Sequence, residues 1–116
     1  MPETAAAVAN YFIDKALEED RELTPMKLIK LIYLAHGWRL GWTQLPLIGE
    51  AITAWKYGPV IESLYQSFKR YGGRQLDRDA LIPGERLLEP LPLEGFLEGV
   101  DSIRTDVRYS ALDIDT

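Results

Sequence analysis

The stretch Ala54–Gly73, AWKYGPVIESLYQSFKRYGG, decides how the rest of the chain is read. It joins an extended aromatic lead-in, a Gly-Pro corner, an amphipathic helix and a double-glycine stop. Gly58 stands where an N-cap belongs. Pro59 suits the first helical position, because its fixed φ matches and its missing N–H needs no partner there. Val60, Ile61, Leu64, Tyr65, Phe68 and Tyr71 recur at three- and four-residue steps and give one wide apolar face. Gly72 and Gly73 can take the left-handed turn that ends such a helix. In an extended lead-in Trp55 and Tyr57 fall on the same side. A helix this apolar is not stable alone, so the remaining chain has to cover it.

Two upstream helices are expected to do so. In the first, Thr4 caps a stripe of Ala5, Val8, Ala9, Phe12, Ile13, Ala16 and Leu17 that runs to about Glu19, with Asn10, Asp14, Lys15 and Glu18 facing out. The polar run Glu18–Glu22 connects it to a second helix. There Thr24 caps, Pro25 takes the first position, and Leu23 can staple onto Leu28 across the cap. From Leu28 to Ala35 apolar residues occur nearly all round, which predicts a central helix covered on several sides, with Lys27 and Lys30 as its polar edge. Trp38 continues the Leu31/Leu34/Ala35 side, and the helix is expected to stop at Leu40–Gly41.

Between these elements Trp42–Pro46 reads as a loop. Leu47–Trp55 reads either as a small hairpin or as a short helical turn through Glu50–Thr53. After Gly73 a turn of helix fits within Leu76–Pro83, and Pro83-Gly84 breaks the chain. Glu89–Pro92 reads as extended. Leu93, Phe96, Leu97 and Val100 have helical spacing, and Ile103–Ala111 alternates like a half-buried strand. The expected fold is mainly α: a compact helical domain around a buried central helix, with a small β-hairpin and a short C-terminal strand. Residues 1–78 form the helical domain, and 79–116 an acidic, proline-containing segment packed on it or trailing from it.

With 116 residues, 47% apolar and 27% charged, the composition is that of one globular domain. The chain has no cysteine, which removes disulfides and thiolate metal sites. No basic stretch followed by an apolar run opens it, so no signal peptide is expected, and its longest apolar run is too short for a bilayer. These features point to a soluble, cytoplasmic protein. The net charge of −5 is uneven: residues 1–78 hold ten Lys and Arg against nine Asp and Glu, residues 79–116 three against nine. An acidic chain does not read as a general nucleic-acid binder.

Sites for chemistry are not evident. His36 is the single histidine, so no histidine pair can hold a metal, and it reads as a core or boundary residue. Ser63 and Ser67 lack an elbow sequence, no glycine-rich loop precedes a helix, and no carboxylate pair stands out. No enzyme activity, cofactor or metal is expected. Lys69, Arg70 and Arg74 around Tyr71 form the best basic cluster. It could grip phosphates with Tyr71 stacking on a base, though basic residues in a helix's last turn also simply complement its dipole. Of the three tryptophans, Trp38 and Trp55 read as core, whereas Trp42 on its loop reads as exposed, and an exposed tryptophan points to a protein partner.

The runs LTPMKLIKLIYLAHGW and PLIGEAITAWKYGPVIESLYQSFKRYG, preceded by ANYFIDKA, resemble the Panacea domain, a bacterial and phage-associated family. The likeness covers Ala5–Gly73. Its motif residues Thr24, Pro25, Lys27, Tyr33, His36, Trp38, Trp55, Gly58 and Pro59 read as caps, core and corner, hence as scaffold. The resemblance implies an antitoxin that neutralises a cognate toxin by direct, non-catalytic binding, and in one branch an adaptor to an ATP-dependent protease. After Gly73 the usual family ending, a helix leading to a histidine segment and a Pro-Trp pair, is not matched, so the resemblance does not extend to the part of the chain on which an adaptor role would draw. Partner contacts are then expected at Trp42, Tyr57, Lys69, Arg70 and Arg74. The alternatives are a phage-encoded inhibitor or adaptor of a host defence or protease component, and a nucleic-acid-binding module.

Overall fold

A computed structural model describes residues 2–55 and 58–88, leaving aside the side chains of 54–59. Within that range the fold is mainly helical, with α1 at Ala5–Glu18, α2 at Pro25–Thr43 and α3 at Glu62–Phe68. A 3-10 turn at Lys69–Tyr71 continues α3, and another spans Arg78–Ala80.

Helix α1 starts where its cap predicts. The Thr4 hydroxyl accepts from Ala7 N–H, and the Glu50 carboxylate, brought from another segment, accepts from Ala5 N–H at 2.9 and 3.0 Å. A carboxylate beside the positive end of the helix dipole adds to this anchoring. The helix closes with Asp20 at φ 55°, Asp20 N–H donating to Leu17 O and Arg21 N–H to Ala16 O, a Schellman pattern. Its buried residues include four alanines along with Val8, Phe12 and Ile13. Small side chains let neighbours come close on several sides, and α1 packs against α2, α3 and the Arg78–Ala80 turn. The central role expected of the second helix thus falls largely to the first.

Helix α2 begins as read: Thr24 accepts from Lys27 N–H, and Pro25 sits at the start. Leu23 and Leu28 are both in the core. Its end differs from expectation. Gly41 does not stop it; the helix continues through Trp42 and Thr43 to a left-handed Gln44 at φ 59°. All its buried residues lie between Pro25 and Ala35, so the helix is covered in its first half only.

The Gly58-Pro59 corner is corrected too. Gly58–Val60 is a short strand, β2, paired antiparallel with β1 at Thr53–Trp55, Pro59 opposite Ala54. A two-stranded ladder has only edges, where a proline's missing N–H does no harm, and β-branched Val60 suits extended backbone. Helix α3 therefore starts three residues later than Pro59, capped by the backbone of Ile61 with no side-chain help. The expected Leu47–Trp55 hairpin, and the helical turn through Glu50–Thr53, are not what forms there. Leu47–Ile52 is irregular apart from a parallel bridge between Glu3 and Ile48. The extended, helical and strand segments read for 89–111 lie outside the described residues.

Residues 81–88 are strapped to α1 by polar contacts. Asn10, expected to face solvent, donates through Nδ2 to Ile82 O and Glu85 O, and its Oδ1 accepts from Ile82 N–H at 2.8 Å. The buried Glu3 carboxylate accepts from Leu88 N–H at 2.8 and 3.0 Å.

Candidate partner-binding face

After Ala35, α2 runs on for two more turns that bury no residue, an overhang of about 12 Å at 1.5 Å per residue. The chain then turns at Gln44 and comes back, and Leu47 and Ile48 re-enter the core. Ile48 N–H donates to His36 Nδ1 at 3.4 Å, so the returning segment meets the helix where the overhang begins. His36 is accordingly a boundary residue. Its partial burial lowers its pKa, keeping the imidazole neutral and able to accept that bond. The tip is fixed by Thr43, whose hydroxyl donates to Arg39 O at 2.9 Å and accepts from Leu45 N–H at 3.1 Å.

The overhang is apolar where a solvated helix end would be polar. Trp42 is 74% exposed, Leu45 57% and Trp38 38%, and Leu40 is exposed as well, while Tyr33, read as scaffold, is exposed on the half of α2 before the overhang. Trp38 and Trp42 stand one turn apart with ring centroids 6.0 Å from each other, tilted by 44°. With Arg39 and Thr43 they line a cleft of about 320 Å³. Clustered exposed aromatics of this kind mark protein interaction sites. Trp42 is exposed, on a helix rather than a loop, and Trp38, read as core, belongs to the surface beside it. Leu40 and Leu45 were missed by sequence reasoning. The signal was that the apolar pattern outlasts the core it serves.

The second cluster is built differently. Arg74 donates through Nε to Tyr71 O and through Nη2 to Arg70 O, and Arg70 reaches Asp79 O and Ser67 O. Both guanidinium groups lie over the Tyr71 ring, at 5.0 and 5.6 Å, and Lys69 lies 6.0 Å over Tyr65. These arginines tie down the carbonyls at the end of α3. Tyr71 is 6% exposed, and its hydroxyl donates to Asp77 at 2.8 Å. Burial first, and that hydrogen bond second, push its pKa upward. A ring so placed cannot stack on a nucleobase. Tyr57, and the side chains of Trp55, Gly58 and Pro59, lie outside what is described. Lys27 donates to Glu22 O at 3.5 Å beside the α2 cap. The structure therefore brings Trp38 and Trp42 together and keeps Lys69, Arg70 and Arg74 at a different place.

Among the described residues no group of three or more His, Asp or Glu side chains could hold a metal, and no helix is long and apolar enough to cross a membrane.

The family described as Antitoxin SocA-like, Panacea domain, matches residues 28–89, a span that takes in α2 from Leu28 onward, the overhang, the paired strands β1 and β2, and α3. The chain belongs to this family. Antitoxin SocA of Caulobacter vibrioides (strain NA1000 / CB15N) is 33% identical over 104 residues, an alignment that covers 85% of this chain and 55% of the relative. The chain thus spans about half the length of the curated relative it matches. No solved structure matches it. The family match takes in most of α2 and all of α3 but not the α2 cap at Thr24 and Pro25. It does not by itself explain why two tryptophans stand in solvent.

Proposed function

We propose that this chain is the antitoxin half of a toxin–antitoxin pair, and that it neutralises its toxin by holding it directly, without catalysis. The observation that carries this is the apolar overhang of α2, with Trp38 and Trp42 side by side and Trp42 largely in solvent. Large aromatic side chains on a rigid helix lose little conformational entropy on binding and supply much of an interface's energy. The family and the printed name of the Caulobacter relative supply the kind of partner, a toxin.

The test is to express the product of the adjoining gene alone and together with this chain. Restored growth and recovery of the two proteins as one complex are the expected results. Growth restored with no complex would contradict direct binding, and growth arrest unaffected by the chain would contradict the antitoxin role.

A further inference from the structure

The pair Trp38 and Trp42 is the core side of α2 carried past the end of the core. Trp38 stands about two turns beyond the buried Leu31, and Trp42 about two turns beyond the buried Ala35, so each continues an inward-facing row. Among the described residues the cleft on that side is lined by α2 alone, through Trp38, Arg39, Trp42 and Thr43. An apolar face on the inner side of a helix calls for a further piece of packing, and the path of the chain brings one close. Ile48 N–H bonds His36 Nδ1 at the root of the overhang. Glu3 lies beside Ile48 in a parallel bridge, its N–H on Leu47 O at 2.8 Å and its O accepting from Gly49 N–H at 3.0 Å. The Glu3 carboxylate in turn holds Leu88 N–H. Leu88, where the described chain ends, is thus tied through Glu3 to the very segment that touches His36, and it is itself 65% exposed. The residues that follow carry Leu91, Leu93, Phe96, Leu97 and Val100, the last four at helical spacing.

We infer that the chain's own segment 91–100 docks on this face in the free protein, its apolar side chains over Trp38 and Trp42, and that a protein partner has to displace it. Reach allows this. The twelve residues 89–100 span up to about 40 Å when extended, and the overhang projects about 12 Å. Tethering selects this occupant over a second copy. A segment joined to its site by a short link stands at an effective concentration of about millimolar, well above that of a separate molecule at micromolar levels. Apolar surface then leaves water on both sides of the contact. The inference concerns the free chain and stands apart from the antitoxin reading; where both hold, the segment and the toxin compete for one face.

The experiment reads the tryptophans of the full, free chain. Phe96→Asp is expected to shift their emission to longer wavelength and to raise its quenching by acrylamide. The change should vanish when Trp38→Phe and Trp42→Phe leave Trp55 alone. Unchanged emission and quenching on Phe96→Asp would overturn the inference, and so would the same change with Trp55 alone. A second readout does not depend on an aspartate being tolerated, because the chain has no cysteine of its own. Thr43→Cys with Leu97→Cys should close a disulfide within one chain under mild oxidation. Gln75→Cys with Leu97→Cys should not, since Gln75 sits at the opposite end of α2, where Leu76 N–H bonds Leu23 O. Equal closure of both pairs would overturn the inference. Disulfide-linked dimers of Thr43→Cys in place of the closed monomer would overturn it by putting a second copy on the face. Against the product of the adjoining gene, Phe96→Asp should bind more tightly than the parent, because the cover no longer has to be opened. Absence of binding by either would count against the antitoxin reading alone.

Discussion

The two halves of α2 share one helix and one run of hydrogen bonds, yet they serve opposite ends. From Pro25 to Ala35 the helix presents Leu28, Ile29, Leu31 and Ile32 to α1 and the rest of the core. From His36 to Thr43 it presents Trp38, Leu40 and Trp42 to solvent. Residue type alone does not separate them, since both halves are apolar. What separates them is the point at which the returning chain, at Leu47 and Ile48, closes over the helix. An apolar residue before that point stabilises the fold, and one after it is available to another molecule.

The contrast can be broken most severely at its buried end. Leu31 has no solvent exposure, and Leu31→Ala is expected to cost about 2–5 kcal/mol in denaturant unfolding. Leu40→Ala, nine residues further along the same helix, should cost under about 1 kcal/mol. Similar losses at both would erase the distinction between the halves. A smaller effect is expected where the 81–88 strap meets α1. Asn10→Ala strands the backbone groups of Ile82 and Glu85, and about 1–3 kcal/mol should be lost. Hydrogen exchange should quicken at Ile82 in particular; unaltered exchange there would mean the strap is held by other contacts.

Gly41→Ala sharpens the contrast from the other side, because a glycine in a helix end that buries nothing should be replaceable for stability. The variant is expected to gain up to about 1 kcal/mol, read as a higher urea midpoint; a loss would show that the site is needed by the fold. The smallest effect belongs to His36, at the boundary between the halves. Burial lowers its pKa below 6.5, so the unfolded chain binds the proton more readily than the folded one. Its contribution is fully present above pH 6.5 and fades as pH falls from there towards the lower folded value. Between pH 7.5 and 5.5 the urea midpoint of the parent should drop slightly more than that of His36→Gln. An equal drop in both would remove His36 as the source.

The starts of α1 and α2 were legible because a cap is a local device: Thr4 and Thr24-Pro25 act within three residues of themselves. The core faces were legible for the same reason, through spacing. Pro59 misled because a distant pairing with Thr53–Trp55, invisible to helix rules, took the segment first. Asn10, Glu3 and Glu50 looked like surface polar residues, since their partners lie 45 to 85 positions away and leave no periodic trace. Of the candidate face, Trp42 was legible and Trp38 was not. Helical spacing groups Trp38 with Leu31 and Ala35, and only the path of the chain after Thr43 shows that the core has ended by then.

Amide hydrogen exchange of the full chain, free and in complex with the product of the adjoining gene, tests the division most directly. Protection gained on binding should be concentrated at residues 37–45, with residues 69–74 unchanged. Protection gained instead around Lys69–Arg74, with the overhang of α2 left as it was, would contradict the account.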